Sequence, residues 1–508
     1  MSRPSGPSPV SDLLARRARL DGGREAIVSG EERLTFSEFD ERVDRAAAWL
    51  RGLCLRPGDR IAVLARNGTA LLELYYAAAR AGLILCPLNY RLAVPELAAI
   101  LRDCGAALLL AEADFTPAAA ALTETVGVPL TLIGSGPEDY PALRDRSKPA
   151  DMEELAPDPP LVLVYTSGTT GRPKGVLLTQ SQMVWASATM AASLDYRRAD
   201  RSLIATPLFH VGGLSFATLF VHLGACAVVL PQWEAATAAR VIADEAVAHF
   251  FAVPAMLQVW LEWPGFADAD FRSLRWILCG GAPLPRSIAL TFAAKGVPVA
   301  QTYGASETAG PATFLQPDEA VARLPSAGRP FFHTDLRVIG SDGSPCPPGI
   351  NGHVQVRGPH VFQRYWNDPD ATNTAFDGLW LRTGDLGHID PRGYLHIAGR
   401  AKDVIITGGE NVHPAELEEL LELSPDILEV VVIGIPDERW GEVVCAVVVP
   451  HPGRTVTLDG IRAALDGRIA RYKLPSQLRL SSIPLPRTAT GKLLRQAVKP
   501  LQNSAFRQ

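Results

Sequence analysis

Apolar and polar positions along this chain alternate between helical and strand periods. Thr35-Phe-Ser-Glu38 has the hydroxyl and carboxylate spacing of a capping box, and the apolar positions after it predict an amphipathic helix through Leu50. Arg60-Ile-Ala-Val-Leu64 predicts a strand, Thr69 to Ala81 a second helix and Leu83-Ile-Leu-Cys-Pro87 a buried strand. Such alternation over residues 10 to about 150 implies a parallel sheet covered by helices. Farther on, Leu161–Val164 and Val176–Leu178 predict two strands flanking a polar loop, followed by a helix from about Thr179 to Leu194. Leu214 to Leu230 is nearly all apolar, Phe250–Met256 follows a second helical run, and Trp276–Cys279 is a strand running into a glycine turn. The last hundred residues predict a compact α+β unit. Its elements are a helix from Pro414 to about Leu423, strands Val430–Ile435 and Val443–Val449, and a helix Leu458–Tyr472.

Composition narrows the class. At 508 residues the chain is too long for one ordinary core and suggests two or three domains. With 47% hydrophobic and 20% charged residues it reads as a globular protein, and a net charge of −5 without a basic block argues against a nucleic-acid partner. Seven cysteines without metal spacing, most inside apolar runs, suggest reduced thiols in a cytoplasmic protein. Residues 1–9, rich in Pro and Ser, read as a flexible terminus without the apolar core of a signal peptide, and no stretch of about 18 apolar residues predicts a transmembrane segment.

The candidate chemistry begins at Tyr165-Thr-Ser-Gly-Thr-Thr-Gly-Arg-Pro-Lys-Gly175. Four hydroxyls (Thr166, Ser167, Thr169, Thr170), glycines that free backbone N–H groups, and the cations Arg172 and Lys174 suit phosphate. It differs from the common nucleotide loop, because Lys174 lies between Pro173 and Gly175 instead of between glycine and a hydroxyl residue. This stretch resembles the phosphate-loop signature of the adenylate-forming superfamily, which includes acyl-CoA synthetases, luciferases and the adenylation domains of peptide synthetases. Further stretches resemble that family's motifs in its order. They are Thr206-Pro-Leu-Phe-His-Val-Gly-Gly213, Trp276–Pro283, Gln301-Thr-Tyr-Gly-Ala-Ser-Glu307, Trp380-Leu-Arg-Thr-Gly-Asp385, Gly399-Arg-Ala-Lys-Asp403 and Pro486–Arg495.

The resemblance implies an α/β fold, with a large N-terminal domain (10–399) of βα-layered subdomains, a hinge (400–403) and a small mobile α+β C-terminal domain (404–508). It implies that Thr166, Ser167, Gly168, Thr169, Thr170, Gly171 and Lys174 hold ATP phosphates. Gly280, Gly281 and Ala282 would wall the adenine, Tyr303 would stack on it, Ser306 would meet the α-phosphate and Glu307 would bind magnesium. Asp385 would bind the ribose, Arg400 the ribose and phosphate region, and Lys492 the reacting oxygens during adenylation. His210 would close the acyl site, with Val211, Gly212, Gly213, Gly304 and Ala305 beside it, and Val253 and Met256 are candidate wall residues at a strand end. Lys402 would be the hinge, and Gly408 and Gly409 would line a coenzyme A tunnel.

Neither Leu214–Leu230 nor Phe250–Met256 contains Lys or Arg, so an apolar acid is the expected substrate. The expected reaction joins a medium-chain, long-chain or bulky aliphatic acid to coenzyme A, using ATP and magnesium. A carrier-protein ligase or an aryl or o-succinylbenzoate-type CoA ligase is the alternative within the family. A non-catalytic nucleotide binder and a phosphotransferase are alternatives outside it. The oligomeric state stays open, a homodimer included.

Overall fold

The computed structural model describes residues 9–149, 155–166, 173–407, 410–437, 440–466, 468–487, 493–498 and 506–507. They fall into two compact units, Met1–Asp335 with Val356–Leu381 and Leu336–Gln355 with Arg382–Gln508.

Two sheets organise the first unit. Among the described residues one has seven strands, in the order Arg364–Tyr365, Lys174–Thr179, Pro160–Thr166, Ile84–Pro87, Arg60–Leu64, Leu108–Glu112, Leu130–Ile133. The last four pair in parallel, as the βα alternation predicts, and Ile84–Pro87, Arg60–Leu64 and Leu108–Glu112 are buried at nearly every position, as strands covered on both faces are, whereas the edge strand Leu130–Ile133 is half-buried. Ala62, Cys86, Leu109, Leu163 and Leu177 share one buried cluster there. The other sheet has nine strands among the described residues, in the order Arg329–Pro330, Thr313–Phe314, Val299–Tyr303, Trp276–Cys279, His249–Ala252, Arg201–Ile204, Cys226–Val229, Glu25–Ser29, Glu32–Thr35.

Local signals set several helix starts. Thr35 Oγ1 accepts from the Glu38 amide, and the Glu38 carboxylate accepts from the Thr35 amide at 2.8 Å, which opens helix Phe36–Gly52. Thr179 and Gln182 make the same reciprocal bonds ahead of helix Gln180–Ser193. The apolar run after His210 resolves into helix Val211–Leu223, a stop at Gly224 (φ +73°), and strand Cys226–Val229. Nearly all of that helix is buried, so its periodicity is erased in the sequence.

In the second unit, strand Ile427–Asp437 pairs antiparallel with Gly441–Pro450, and their alternate side chains enter two separate buried clusters. Helices Pro414–Leu421 and Leu458–Leu465 contribute to one of these. The second helix stops short of the predicted Tyr472, because Asp466 takes an extended backbone (ψ 136°); residues Arg471–Lys473 form only a single tight turn.

Candidate active site

Strands Pro160–Thr166 and Lys174–Thr179 pair antiparallel up to the mouth of the phosphate-type loop, where Thr166 lies opposite Lys174. The Tyr165 hydroxyl donates to the Asp103 carboxylate, and the Trp366 amide donates to the Gly175 carbonyl at 2.7 Å. A Cβ at Gly175 would lie 2.9 Å from Leu163 Cδ1 and 3.1 Å from Trp366 Cβ, so a side chain there would press on both residues where the two strands pair. Ser167, Gly168, Thr169, Thr170 and Gly171 lie outside the described residues, as does Arg172.

The Gln301–Glu307 motif leaves strand Val299–Tyr303 and enters the tight turn Ser306–Thr308. Its path is compact enough that a Cβ at Gly304 would lie 1.6 Å from the Gly310 carbonyl oxygen. Ala309 (φ +51°) and Gly310 (φ +110°) complete the reversal, and the Gly310 amide donates to the Ala305 carbonyl at 3.1 Å. His360 supports the turn from behind, with Nδ1 2.9 Å from the Thr308 carbonyl and Nε2 2.8 Å from the Thr334 hydroxyl. Burial pushes its pKa down to about 4. A carbonyl only accepts, so the neutral ring carries its proton on Nδ1 and Thr334 donates to Nε2. Gln301 spans the neighbouring loops, accepting from the Leu284 amide at 2.8 Å and donating to the Ser326 carbonyl at 3.2 Å.

Tyr303, Ser306 and Glu307 are half-buried. Glu307 Oε1 accepts from the Tyr365 hydroxyl at 2.7 Å, and the Lys174 ammonium stands 5.1 Å from the centre of the Tyr365 ring. One tyrosine therefore brings together the lysine of the phosphate-type loop and the carboxylate of the second motif. Among the described residues, no group of three or more His, Cys, Asp or Glu could hold a metal by itself. Glu307, whose Oε2 is left by the Tyr365 bond, fits a magnesium ion that takes its other ligands from phosphate and water.

The acyl side lies around Phe251. Its ring stacks on Phe216 (centroids 5.4 Å apart, planes at 20°) and approaches the positions a Cβ would take at Gly212 (3.3 Å) and Gly280 (3.2 Å). Val253 Cγ1 is 3.5 Å from the corresponding position on Gly281, itself at φ +82°. Ala282 is half-buried, whereas Val211 and Met256 are nearly buried. Ser215 ties the helix to the motif turn by donating to the Ala309 carbonyl at 2.5 Å. His210 precedes the helix with Nε2 buried and without a hydrogen-bond partner among the described residues. Burial, with a smaller contribution from the Arg91 cation, lowers its pKa to about 4, so the imidazole is neutral.

At Gly213, expected beside the acyl site, a Cβ would meet main chain, 2.9 Å from the Pro207 carbonyl oxygen and 3.1 Å from Leu208 Cα, so glycine here permits helix and loop to touch.

In the second unit, Asp385 and Arg400 are register partners of strands Trp380–Ile389 and Leu395–Arg400. Arg400 Nε lies 2.8 Å from Asp385 Oδ1 and Nη1 donates to the Thr383 carbonyl at 2.9 Å, so the two expected nucleotide contacts form an ion pair. Lys402 is exposed in the turn Ala401–Asp403. Arg495 binds the Glu418 carboxylate and the Val432 carbonyl (2.8 Å) and lies 3.8 Å from Asp403. Gly408, Gly409 and Lys492 lie outside the described residues.

Sequence reasoning missed Tyr365, Phe251 and His360. The first and last act through partners 58 and 52 residues away, a separation that leaves no local pattern. Phe251 was within reach, since it lies in the apolar segment singled out for the wall.

Residues 14–366 match the AMP-binding enzyme family and residues 416–492 its C-terminal domain. The chain is 40% identical over 499 residues to the indoleacetate–CoA ligase of Aromatoleum aromaticum, covering 97% of this chain and 98% of that one. It is 38% identical to a long-chain-fatty-acid–CoA ligase of Mycobacterium tuberculosis, covering 96% and 97% of the two chains. The o-succinylbenzoate CoA synthetase of Bacillus subtilis, solved with its acyl-adenylate intermediate, matches with a TM-score of 0.87 at 32% identity over 99% of both chains. Together the family match over most of the length and these relatives above 30% identity lead to one conclusion: the chain belongs to the AMP-binding enzyme family, in the acyl-CoA synthetase branch of the adenylate-forming superfamily.

Proposed function

We propose that the protein activates an apolar monocarboxylic acid as its acyl-adenylate and transfers the acyl group to coenzyme A. Its family makes it an AMP-forming acid–thiol ligase that uses ATP, magnesium and coenzyme A. The carrying observation is the junction around Phe251, which sets a neutral buried His210 and an aromatic, glycine-flanked wall beside the turn bearing Glu307.

A carboxylate resists acyl transfer because oxide is a poor leaving group, so its oxygen first attacks the α-phosphorus of ATP and pyrophosphate departs. The Thr166–Lys174 loop holds the departing phosphates with hydroxyls and cations, which are worth most where water is excluded. Magnesium on Glu307 would draw charge off the same phosphates. Ser306 donates toward the α-phosphate, and Lys492 offsets charge on the reacting oxygens. His210, uncharged, closes the acyl site without holding a carboxylate in a competing ion pair. The division at 400–403 between domains 10–399 and 404–508 then serves a two-pose cycle: rotation about Lys402 withdraws Lys492 and brings Gly408 and Gly409 toward the entering thiol, which displaces AMP.

The apolar wall supports an alkyl tail. A flat aryl acid is the second reading, favoured by the half-buried Phe251 ring and the Phe216 ring stacked on it, whose chemistry suits a planar group. A cytoplasmic location fits this chemistry, and among the described residues no helix is long and apolar enough to cross a membrane. The deciding experiment presents alkyl, aryl, amino and dicarboxylic acids with ATP and coenzyme A, reading pyrophosphate release and thioester mass. Phosphate release without AMP would overturn adenylation, and selective use of acetate or a dicarboxylate would overturn the apolar site.

A further inference from the structure

We propose that Tyr365 is a positioning residue for the magnesium–nucleotide complex, fixing the Glu307 carboxylate and the Lys174 ammonium relative to one another. This rests on the reading of Glu307 as the magnesium ligand. The Tyr365 hydroxyl donates to Glu307 Oε1 at 2.7 Å. A phenol is a neutral donor, so it orients the carboxylate without discharging it, and Oε2 keeps the electron density a divalent cation needs; an arginine or lysine here would compete with the metal. The ring's other function is to present its face to Lys174 Nζ at 5.1 Å, a contact that places the ammonium yet leaves its N–H donors for phosphate oxygens.

The tyrosine is itself held from several sides. Its strand pairs with Lys174–Thr179, with Tyr365 opposite Val176, and its amide donates to Thr372 Oγ1 at 2.9 Å. Phe362 meets the ring edge-to-face at 4.8 Å, stacks on Phe376 at 5.4 Å, and donates its own amide to the Glu307 carbonyl at 2.8 Å. The same short segment therefore grips the main chain of Glu307 through Phe362 and its side chain through Tyr365.

The test is Tyr365→Phe, which keeps the ring and removes one oxygen. Titrating magnesium at fixed ATP should show a half-saturating concentration raised about three- to tenfold, the scale of one lost hydrogen bond. Calorimetric binding of magnesium with a non-hydrolysable ATP analogue should weaken by a similar factor, while metal-free AMP binding and Tm stay at wild-type values. Tyr365→Leu, which also removes the ring, should further weaken analogue affinity. Unchanged magnesium titration and calorimetry in Tyr365→Phe would overturn the proposal. Parallel losses of AMP affinity and Tm would also overturn it, by reducing Tyr365 to a packing residue. Glu307→Gln separates the underlying reading: if magnesium dependence survives there, Glu307 is not the ligand.

Discussion

Gly212 and Gly213 are neighbours whose open sides face different matter, and that difference makes the acyl site testable with two substitutions. A Cβ at Gly212 would meet Phe251 Cε1 at 3.3 Å, a contact with a half-buried side chain and not with main chain. With the acyl tail placed beside that ring, as proposed, Gly212→Leu takes the room of about three to four of its methylenes. At about 0.8 kcal/mol per buried methylene this excludes roughly 2.5–3 kcal/mol of tail binding, or about 10²-fold in kcat/KM for acids that fill the site. Acetate should be nearly unaffected. Gly212 lies in the first turn of helix Val211–Leu223, where leucine is the better helix former, by up to about 1 kcal/mol, so Tm should not fall. Gly213→Ala is the converse case: its methyl would sit 2.9 Å from the Pro207 carbonyl and 3.1 Å from Leu208 Cα, and backbone does not yield as a ring does. Overpacking of about 1–3 kcal/mol should lower Tm while leaving the ranking of acids intact. The assay is pyrophosphate release across an acyl-length series for wild type and both variants, with thermal melts alongside. Equal loss at every length in Gly212→Leu, or a length-dependent loss in Gly213→Ala, would refute the placement of the pocket.

Lys492→Ala should slow adenylation by about 10²-fold or more, the scale of one removed electrostatic stabiliser. Thioester formation from preformed acyl-adenylate should persist, and equal loss in both half-reactions would count against two poses. Gly304→Ala, whose Cβ would lie 1.6 Å from the Gly310 carbonyl, should displace the Tyr303–Glu307 turn and abolish nucleotide binding in calorimetry even where folded protein is recovered. His210 and His360 have pKa values lowered to about 4, so between that value and the ordinary 6.5 the unfolded chain binds the extra protons. Stability should therefore be fully present above about pH 6.5 and fall toward pH 4, by roughly 3 kcal/mol per histidine at most. Urea midpoints between pH 4.5 and 7.5 should trace this slope, and His360→Asn should flatten it; an unchanged slope would show that His360 is not buried neutral.

The sequence was most legible where a local rule acts alone. The capping box at Thr35 and Glu38 placed a helix, and the two β-branched runs around the phosphate-type loop placed a strand pair, because both depend on residues a few positions apart. Helix Leu458–Leu465 was overextended because polar and apolar spacing continues past Asp466 while the backbone does not. At the site, the glycine turn after strand Trp276–Cys279 was legible in its own segment. The orientation of Gly213 was not, because whether a glycine opens a pocket or admits a neighbouring main chain depends on a contact that nothing in its own segment encodes.

The same limit bears on the substrate. Leu214–Leu230 and Phe250–Met256 carry no Lys or Arg, yet the field at His210 includes a cation from another segment. The Arg91 guanidinium lies 5.5 Å from the centre of the Tyr90 ring, Tyr90 meets Phe209 edge-to-face at 5.3 Å, and Phe209 adjoins His210 at 4.5 Å. Burial outweighs Arg91 in lowering the His210 pKa, and Arg91 is exposed to solvent, which screens its charge. A charge so placed favours a neutral histidine and does little to repay the desolvation of a second carboxylate deep in the apolar wall. Dicarboxylic acids should therefore remain poor substrates unless their second charge reaches the Arg91 side, which makes a short and a long dicarboxylate in the acid panel the sharpest comparison between an apolar wall and a charged rim.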